Sequence, residues 1–314
     1  MSFNQIGIRA LGSYTPPKKV SNAELAKFLD TSDEWIVSHT GIKNRHIAEE
    51  EVTTSDLALE AVNDLLSRNA VTKEEIGGII VATASQDYKG FPSTACLLQH
   101  KLGLTTIPAF DLAAGCTGFI YGLALARSLV ATQSLQSVLV VGSEKLSAIV
   151  DWTDRNTAVL FGDGAGCALV GESSHGVIID SVLHAQGDGF DYLLLDRATS
   201  KLQMNGKAVY NFAVKVLSAT LEELLERNNL TLEQIDWIVP HQANERIIKA
   251  AARRLKIEES KFFMNIAEYA NTSAASIPIA LREMEASNLL KAGQVLLTVG
   301  FGAGLTYGGN LIRV

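Results

Sequence analysis

The sequence predicts an α/β protein with mainly parallel sheets, built from two similar halves. Three observations carry that prediction. Short runs rich in β-branched residues and leucine alternate with longer amphipathic stretches. The strand-like runs lack period-2 alternation, as expected of strands covered on both faces. Three segments also recur in the same order at about half the length of the 314-residue chain.

Taken in order, residues 55–69 (SDLALEAVNDLLSRN) read as an amphipathic helix with Ser55 as its N-cap. The run 78–82 (GIIVA) reads as a buried strand, 116–132 as a helix and 137–142 (SVLVVG) as a second buried strand. A helix over 214–228, a strand over 235–239 (IDWIV), a helix over 242–256 and a strand over 294–299 (QVLLTV) complete the series. FGDGAGCA (161–168) lacks both the Walker lysine and GxGxxG spacing, so it reads as a tight turn and not a nucleotide loop.

The recurrence is specific in its register. KEEIGGIIVATASQ (73–86) resembles LEQIDWIVPHQAN (232–244), with Ile76 and Ile235 lying 159 positions apart. SVLVVGSE (137–144) resembles VLLTVGFG (295–302), with Gly142 and Gly300 lying 158 apart. FDLAAGCTG (110–118) and MNIAEYANTS (264–273) lie between, with Asp111 and Asn265 separated by 154. No Pro/Ser/Gly-rich linker divides the chain, so two βα halves packed directly together are expected, with equivalent loops meeting at a shared site.

Composition excludes several classes. No apolar run reaches the roughly 18 residues that span a bilayer. The N-terminal MSFNQIGIRALGSYTPPKKV has no secretory pattern, so a soluble, cytoplasmic protein is expected. Three cysteines, Cys96, Cys116 and Cys167, are too scattered for a disulfide framework or a metal knuckle, and the six histidines form no zinc-binding pair. The balance of 27 Lys and Arg against 34 Asp and Glu, net −7, without basic blocks, argues against nucleic acid.

Cys116 follows a strand and opens a helix. Unpaired N–H groups and the positive dipole end would favour a thiolate there, the competing reading being a small buried hydrophobe. Cys96 and Cys167 lie in apolar stretches and read as packing residues. His241 follows the strand IDWIV, at the strand end where α/β sites gather. Asn271 lies in the second-half counterpart of the Cys116 loop, 155 positions on, in roughly the place that Cys116 holds. Read alone, it would be a helix cap. Together the three side chains form a chemical unit.

AGCTGF around Cys116, PHQANERI around His241, YANTSAASIP around Asn271 and the terminal GFGAGLTYG resemble the β-ketoacyl-acyl-carrier-protein synthase III family of condensing enzymes. The resemblance runs from DTSDEWIVSHTGIKNRH (30–46) to the last strand. It implies a duplicated thiolase-like fold: two mixed, mainly parallel sheets in a layered αβαβα arrangement, with halves at 1–170 and 171–314. It also implies condensation of an acyl-CoA primer, acetyl-CoA for choice, with malonyl-acyl-carrier protein, without metal or redox cofactor.

The same resemblance implies roles. Cys116 would be acylated, with backbone N–H groups of Cys116 and Ala303 as the oxyanion hole, while His241 and Asn271 would stabilise the decarboxylated enolate. Trp35 and Arg155 would sandwich the CoA adenine. Met204, Gly206 and Tyr210 would line the pantetheine channel, and Asn244 would make a polar contact to the pantetheine arm. Phe161 and Phe301 would wall the acyl pocket, and Phe91 would close it from a partner subunit, which requires a homodimer.

The acidic balance requires local positive charge if an acidic carrier protein is to dock. At about 100° per residue, Arg246, Lys249, Arg253 and Lys256 share one helix face, opposite Ile247, Ile248, Ala251 and Leu255. The chain departs from the family pattern at His39, Asn211, Glu245 and Ala303. A secondary-metabolism relative with another primer or acceptor remains the competing reading. A papain-like hydrolase is a remote one, given the Cys–His–Asn order.

Overall fold

The computed structural model describes residues 5–68 and 70–314; Asn69, which closes the first expected helix, lies outside them. Nine strands among these residues build the main sheet. They are β1 (Ile6–Tyr14), β2 (Ile79–Ala82), β3 (Ala109–Leu112), β4 (Ser137–Glu144), β5 (Gly164–Glu172), β6 (Val177–Ala185), β7 (Trp237–Pro240), β8 (Val295–Gly302) and β9 (Thr306–Arg313). Their order is β7-β8-β9-β6-β1-β5-β4-β2-β3.

Two expectations are corrected here. The sheets are not separate: β1 and β6 meet antiparallel at Gly7 and Val177, and Ile8 N–H donates to the Gly176 carbonyl at 2.9 Å, joining both into one continuous sheet. Nor is pairing mainly parallel. Only β2–β3, β2–β4 and β7–β8 run parallel, because β5 and β9 reverse direction within their halves. Every residue of β4, and all of β5 but Glu172, is buried, so an antiparallel strand here has no wet face to betray itself by alternation. The runs in the sequence reported burial, not direction.

The sheet reads alike from both ends. Ile238 of β7 makes an isolated parallel bridge to Phe262, in the position that β3 holds beside β2. The expected boundary after residue 170 falls inside β5, and the chain passes from one side of the sheet to the other in the turn at 173–176.

Among the described residues seven longer helices position the site: α1 (Asp33–Thr40), α2 (Thr54–Arg68), α3 (Thr94–Lys101), α4 (Gly118–Ala131), α5 (Gly206–Arg227), α6 (Glu245–Leu255) and α7 (Ser276–Ala286). α2 and α3 cover one outer face, and α5 and α6 the other. α4 touches strands of both halves, and α7 packs on β1, β5 and β7, giving the expected five layers. Ser55 is not the N-cap of α2. Thr53 Oγ1 accepts from Asp56 N–H at 3.2 Å and Asp56 accepts from Thr53 N–H at 2.9 Å, a reciprocal box that leaves Ser55 buried inside the helix. α5 begins at Gly206, eight residues before the expected start at 214, because Val209, Phe212 and Ala213 continue its buried face. The FGDGAGCA segment is not the expected turn: Phe161 bridges to Asn271 and the chain is in β5 from Gly164 onward. A Cβ on Gly166 would lie 2.8 Å from Pro278 Cβ, so this glycine lets α7 press onto the strand.

Candidate active site

Cys116 sits in a 3-10 turn, Gly115–Thr117, at the entrance to α4. The matching turn of the second half, Ser273–Ala275, leads into α7. This refines the expected correspondence: Ala274 stands 158 positions from Cys116, and Asn271 falls just before the turn. The β8–β9 hairpin presses on the Cys116 turn. A Cβ on Gly302 would sit 2.5 Å from Cys116 N, and one on Gly115 2.9 Å from Ala303 N, so the backbones touch only because both are glycine. Thr306 Oγ1 donates to the Ala114 carbonyl at 2.9 Å, tying hairpin to turn.

Cys116, His241 and Asn271 line one cavity of about 380 Å³. The thiol does not rest as a thiolate. Burial pushes Cys116 up to about 12, the Ser273 hydroxyl favours the charged form, and the Glu144 charge opposes it. Desolvation therefore outweighs the helix end, contrary to the expectation from position alone.

His241 is 1% exposed and packs edge-on to Phe301 at 5.5 Å. Burial lowers its imidazole to about 3, so the ring is neutral at pH 7. Its Nδ1 lies 2.7 Å from Ser276 Oγ. Gln242 N–H donates to that oxygen at 3.4 Å, leaving the hydroxyl proton available for Nδ1. With Ser276 as donor to Nδ1, the imidazole proton lies on Nε2. Ser276 is a residue that sequence reasoning missed; its signal is the i, i+35 pairing of the two motifs, which only folding reveals.

Asn271 is held between Leu160 and Gly162 by backbone bonds of 2.9 and 3.1 Å. Its Oδ1 accepts from Ser273 N–H at 2.8 Å, which fixes the amide orientation and leaves Nδ2–H₂ as the free donor group. The site thus sets a buried thiol beside two neutral donor groups.

Of the expected binding residues, Trp35, Met204, Gly206, Tyr210, Asn244, Phe161 and Phe301 line this cavity. Arg155 does not line it: its guanidinium stacks 4.6 Å from the Trp35 ring, and His39 stacks on Trp35 at 4.3 Å. The two side chains expected to sandwich an adenine therefore lie against each other. Asn244 caps α6 by accepting from Arg246 N–H at 2.8 Å and donates to the His39 carbonyl at 3.0 Å, so much of its polar capacity is structural.

Behind Cys116 a smaller apolar recess of about 70 Å³ is lined by Ala84, Leu146, Ile149, Phe161, Ala303 and leucines of the 193–202 segment. Phe301 does not line it and stands in the main cavity against His241. Phe91 lines neither and is 89% exposed. The leucines were missed because LLL in FDYLLLD reads as an ordinary core strand.

On α6, Arg246 and Arg253 are exposed, and Lys256 lies beyond the helix end in a left-handed conformation, off the single face expected. Lys249 pairs with Glu245 at 2.8 Å, and Arg246 stacks over Tyr210 at 5.8 Å. Asn211 is exposed beside them on α5. Among the described residues no group of His, Cys, Asp or Glu could hold a metal ion, and no helix is long and apolar enough to cross a membrane.

A buried thiol beside a neutral imidazole and a carboxamide, set where two matching turns of a thiolase-like α/β fold meet, defines an acyl-transferring condensing enzyme. Comparison with known proteins narrows the class. Residues 110–187 match the 3-oxoacyl-[acyl-carrier-protein] synthase III family and residues 225–314 its C-terminal model. A β-ketoacyl-[acyl-carrier-protein] synthase III of Caldanaerobacter subterraneus subsp. tengcongensis is 48% identical, covering 98% of this chain and 97% of that protein. The crystal structure of the Thermus thermophilus synthase III superposes with a TM-score of 0.94 at 45% identity, covering 98% and 99% of the two chains. That from Aquifex aeolicus gives 0.94 at 42% identity, covering 98% and 100%. The chain belongs to the 3-oxoacyl-[acyl-carrier-protein] synthase III family.

Proposed function

We propose that the chain joins an acyl-CoA primer to malonyl-acyl-carrier protein, giving 3-oxoacyl-acyl-carrier protein, CoA and carbon dioxide, and so initiates fatty-acid synthesis. The convergence of Cys116, neutral His241 and Asn271 on one cavity, with an apolar recess behind the sulfur, carries this reading. Cys116 Sγ attacks the primer carbonyl. The tetrahedral oxyanion is received by the backbone N–H groups of Cys116 and Ala303, and CoA leaves as the acyl chain enters the recess.

Malonyl-carrier protein then binds in the vacated channel. His241 Nε2–H and Asn271 Nδ2–H donate to its thioester oxygen, so that the electron pair released with carbon dioxide is held as an enolate. The carbanion attacks the acyl-Cys116 carbonyl, and Cys116 is expelled. A neutral imidazole serves here because it donates a hydrogen bond without quenching the carbanion, as an imidazolium would.

The chemistry needs neither metal nor redox cofactor, since the thioester and the malonyl carboxylate supply the driving force. A recess of about 70 Å³ favours a short primer such as acetyl. We read the protein as cytoplasmic, without membrane or nucleic-acid partners. The 89% exposed Phe91 is taken as a contact to a second subunit in a homodimer. The carrier protein docks on Arg246, Arg253 and Lys256, with Lys249 damped by Glu245.

The test is incubation with labelled acetyl-CoA, with and without malonyl-carrier protein. Acyl-enzyme that forms on the wild type but not on Cys116→Ala, with carbon dioxide released only on the carrier substrate, supports the reading. Condensation only with a CoA-bound acceptor overturns it.

A further inference from the structure

Acylation must move the Cys116 proton, and the obvious base is unfit for it. His241 is buried, neutral and held at Nδ1 by Ser276. A second titratable group lies behind the thiol. Glu144, at the C-terminal end of β4, is 0% exposed. Its carboxylate accepts from Ser85 Oγ at 2.7 Å, Ala84 N–H at 3.0 Å and Thr83 Oγ1 at 3.1 Å, and the Ser273–Ala275 turn presses on β4 at Gly142. Ser273 lines the recess behind Cys116 together with the thiol and Ala84, whose N–H reaches Glu144, and its hydroxyl favours the charged form of both titratable groups.

All three donors are neutral, two hydroxyls and one amide. Lys145, the next residue, turns its Nζ away to the Glu49 and Glu50 carbonyls at 2.9 and 2.7 Å. A buried carboxylate without a cation is costly unless the charge is used. Two anions side by side in a dry site are costlier still, so the thiol and carboxyl behave as a pair that shares one proton.

We propose that Glu144 keeps the Cys116 proton during the life of the acyl-enzyme, received and returned through the Ser273 hydroxyl. As Sγ forms its bond to the primer carbonyl, the thiol proton passes to Ser273 Oγ and the Ser273 proton passes to the Glu144 carboxylate. The tetrahedral adduct collapses, and the CoA thiolate leaves and takes a proton from water. After condensation the expelled Cys116 thiolate regains its proton from Glu144 by the reverse path. Charge in the site falls from −1 to neutral when the acyl-enzyme forms, which favours the acylated state in a water-poor pocket. Ser273 stands beside the reacting sulfur in the recess; Glu144 acts through it and is a positioning residue.

This rests on Cys116 being the acylated nucleophile, so wild type and Cys116→Ala are first exposed to acetyl-CoA. Absence of acylation on the wild type defeats that reading and leaves the relay without an object. With acylation established, Glu144→Gln and Ser273→Ala should acylate about 100-fold more slowly or worse at pH 7, the scale of positioned proton transfer. The deficit should shrink as pH rises, because solvent hydroxide then removes the proton, while Glu144→Asp recovers part of the rate. Infrared difference spectra of acylated minus free wild type should gain a protonated-carboxyl band that Glu144→Gln lacks. Should Glu144→Gln fail to fold, Ser273→Ala carries the test, since its backbone N–H still serves Asn271. Wild-type acylation rates in both variants, a deficit constant with pH, or no carboxyl band in the wild type would each overturn the relay.

Discussion

Replacing His241 or Asn271 by alanine should separate the two half-reactions. His241 has one nitrogen committed to Ser276 at 2.7 Å and Asn271 has its oxygen committed to Ser273 N–H at 2.8 Å, so each offers its remaining N–H to the cavity. With the imidazole held near 3, roughly one molecule in ten thousand carries a cationic ring at pH 7, and both donors act as neutral ones. Loss of one preorganised donor to a developing oxyanion costs about 2.7–4 kcal/mol, or about 10²–10³ in rate. Decarboxylation should therefore fall by that factor in either variant. The double variant should lose less than the product, because the donors share one oxygen. The assay is release of labelled carbon dioxide from malonyl-carrier protein on pre-acylated enzyme, beside acyl-enzyme formation by intact mass. Acylation should persist in both variants. If either abolished acylation as completely as Cys116→Ala, the division of labour drawn here would be wrong.

Further outcomes follow from the same geometry. The unfolded chain takes up a proton on His241 below about pH 6.5, whereas the folded protein refuses it until about 3, so stability is full above 6.5 and falls by about 1.4 kcal/mol per unit below it. Thermal melts should drop from pH 6.5 towards 4, and a His241→Gln protein that drops as steeply would clear His241 of the effect. Trp35→Ala should raise KM for acyl-CoA by about 5- to 100-fold with kcat nearly unchanged, on the scale of aromatic–base stacking. An unchanged KM would remove Trp35 from the binding site. Arg253→Glu with Lys256→Glu should raise KM for the carrier substrate and flatten its salt dependence, with primer acylation intact. Lys249→Ala should do far less, since Glu245 already holds its ammonium at 2.8 Å, and equal effects would contradict the docking surface drawn here.

Much of the site was legible because its chemistry is written in local motifs. Cys116 and His241 each follow a strand and Asn271 follows the short helix Ile266–Tyr269, in segments whose residue order survives in one dimension, and the repeat at half length placed them together. The buried strands β2, β4, β7 and β8 were equally plain. β1, β5, β6 and β9 escaped notice: β5 opens on glycines and β6 mixes half-buried with exposed positions. Ser276 and Glu144 could not be found, since nothing local distinguishes a serine under an imidazole or a carboxylate behind a thiol from ordinary core polar groups.

The sequence by itself determined the class of fold, its doubling and the three side chains proposed to react, because strand periodicity and motif order are properties of the chain. Tertiary structure decided the joining of the sheet through Gly7 and Val177, the protonation of the thiol and the imidazole, and the self-stacked Trp35–Arg155 pair. Those depend on desolvation and on contacts between residues more than a hundred positions apart. A thiol at a helix entrance is reactive or inert according to what the rest of the molecule buries around it.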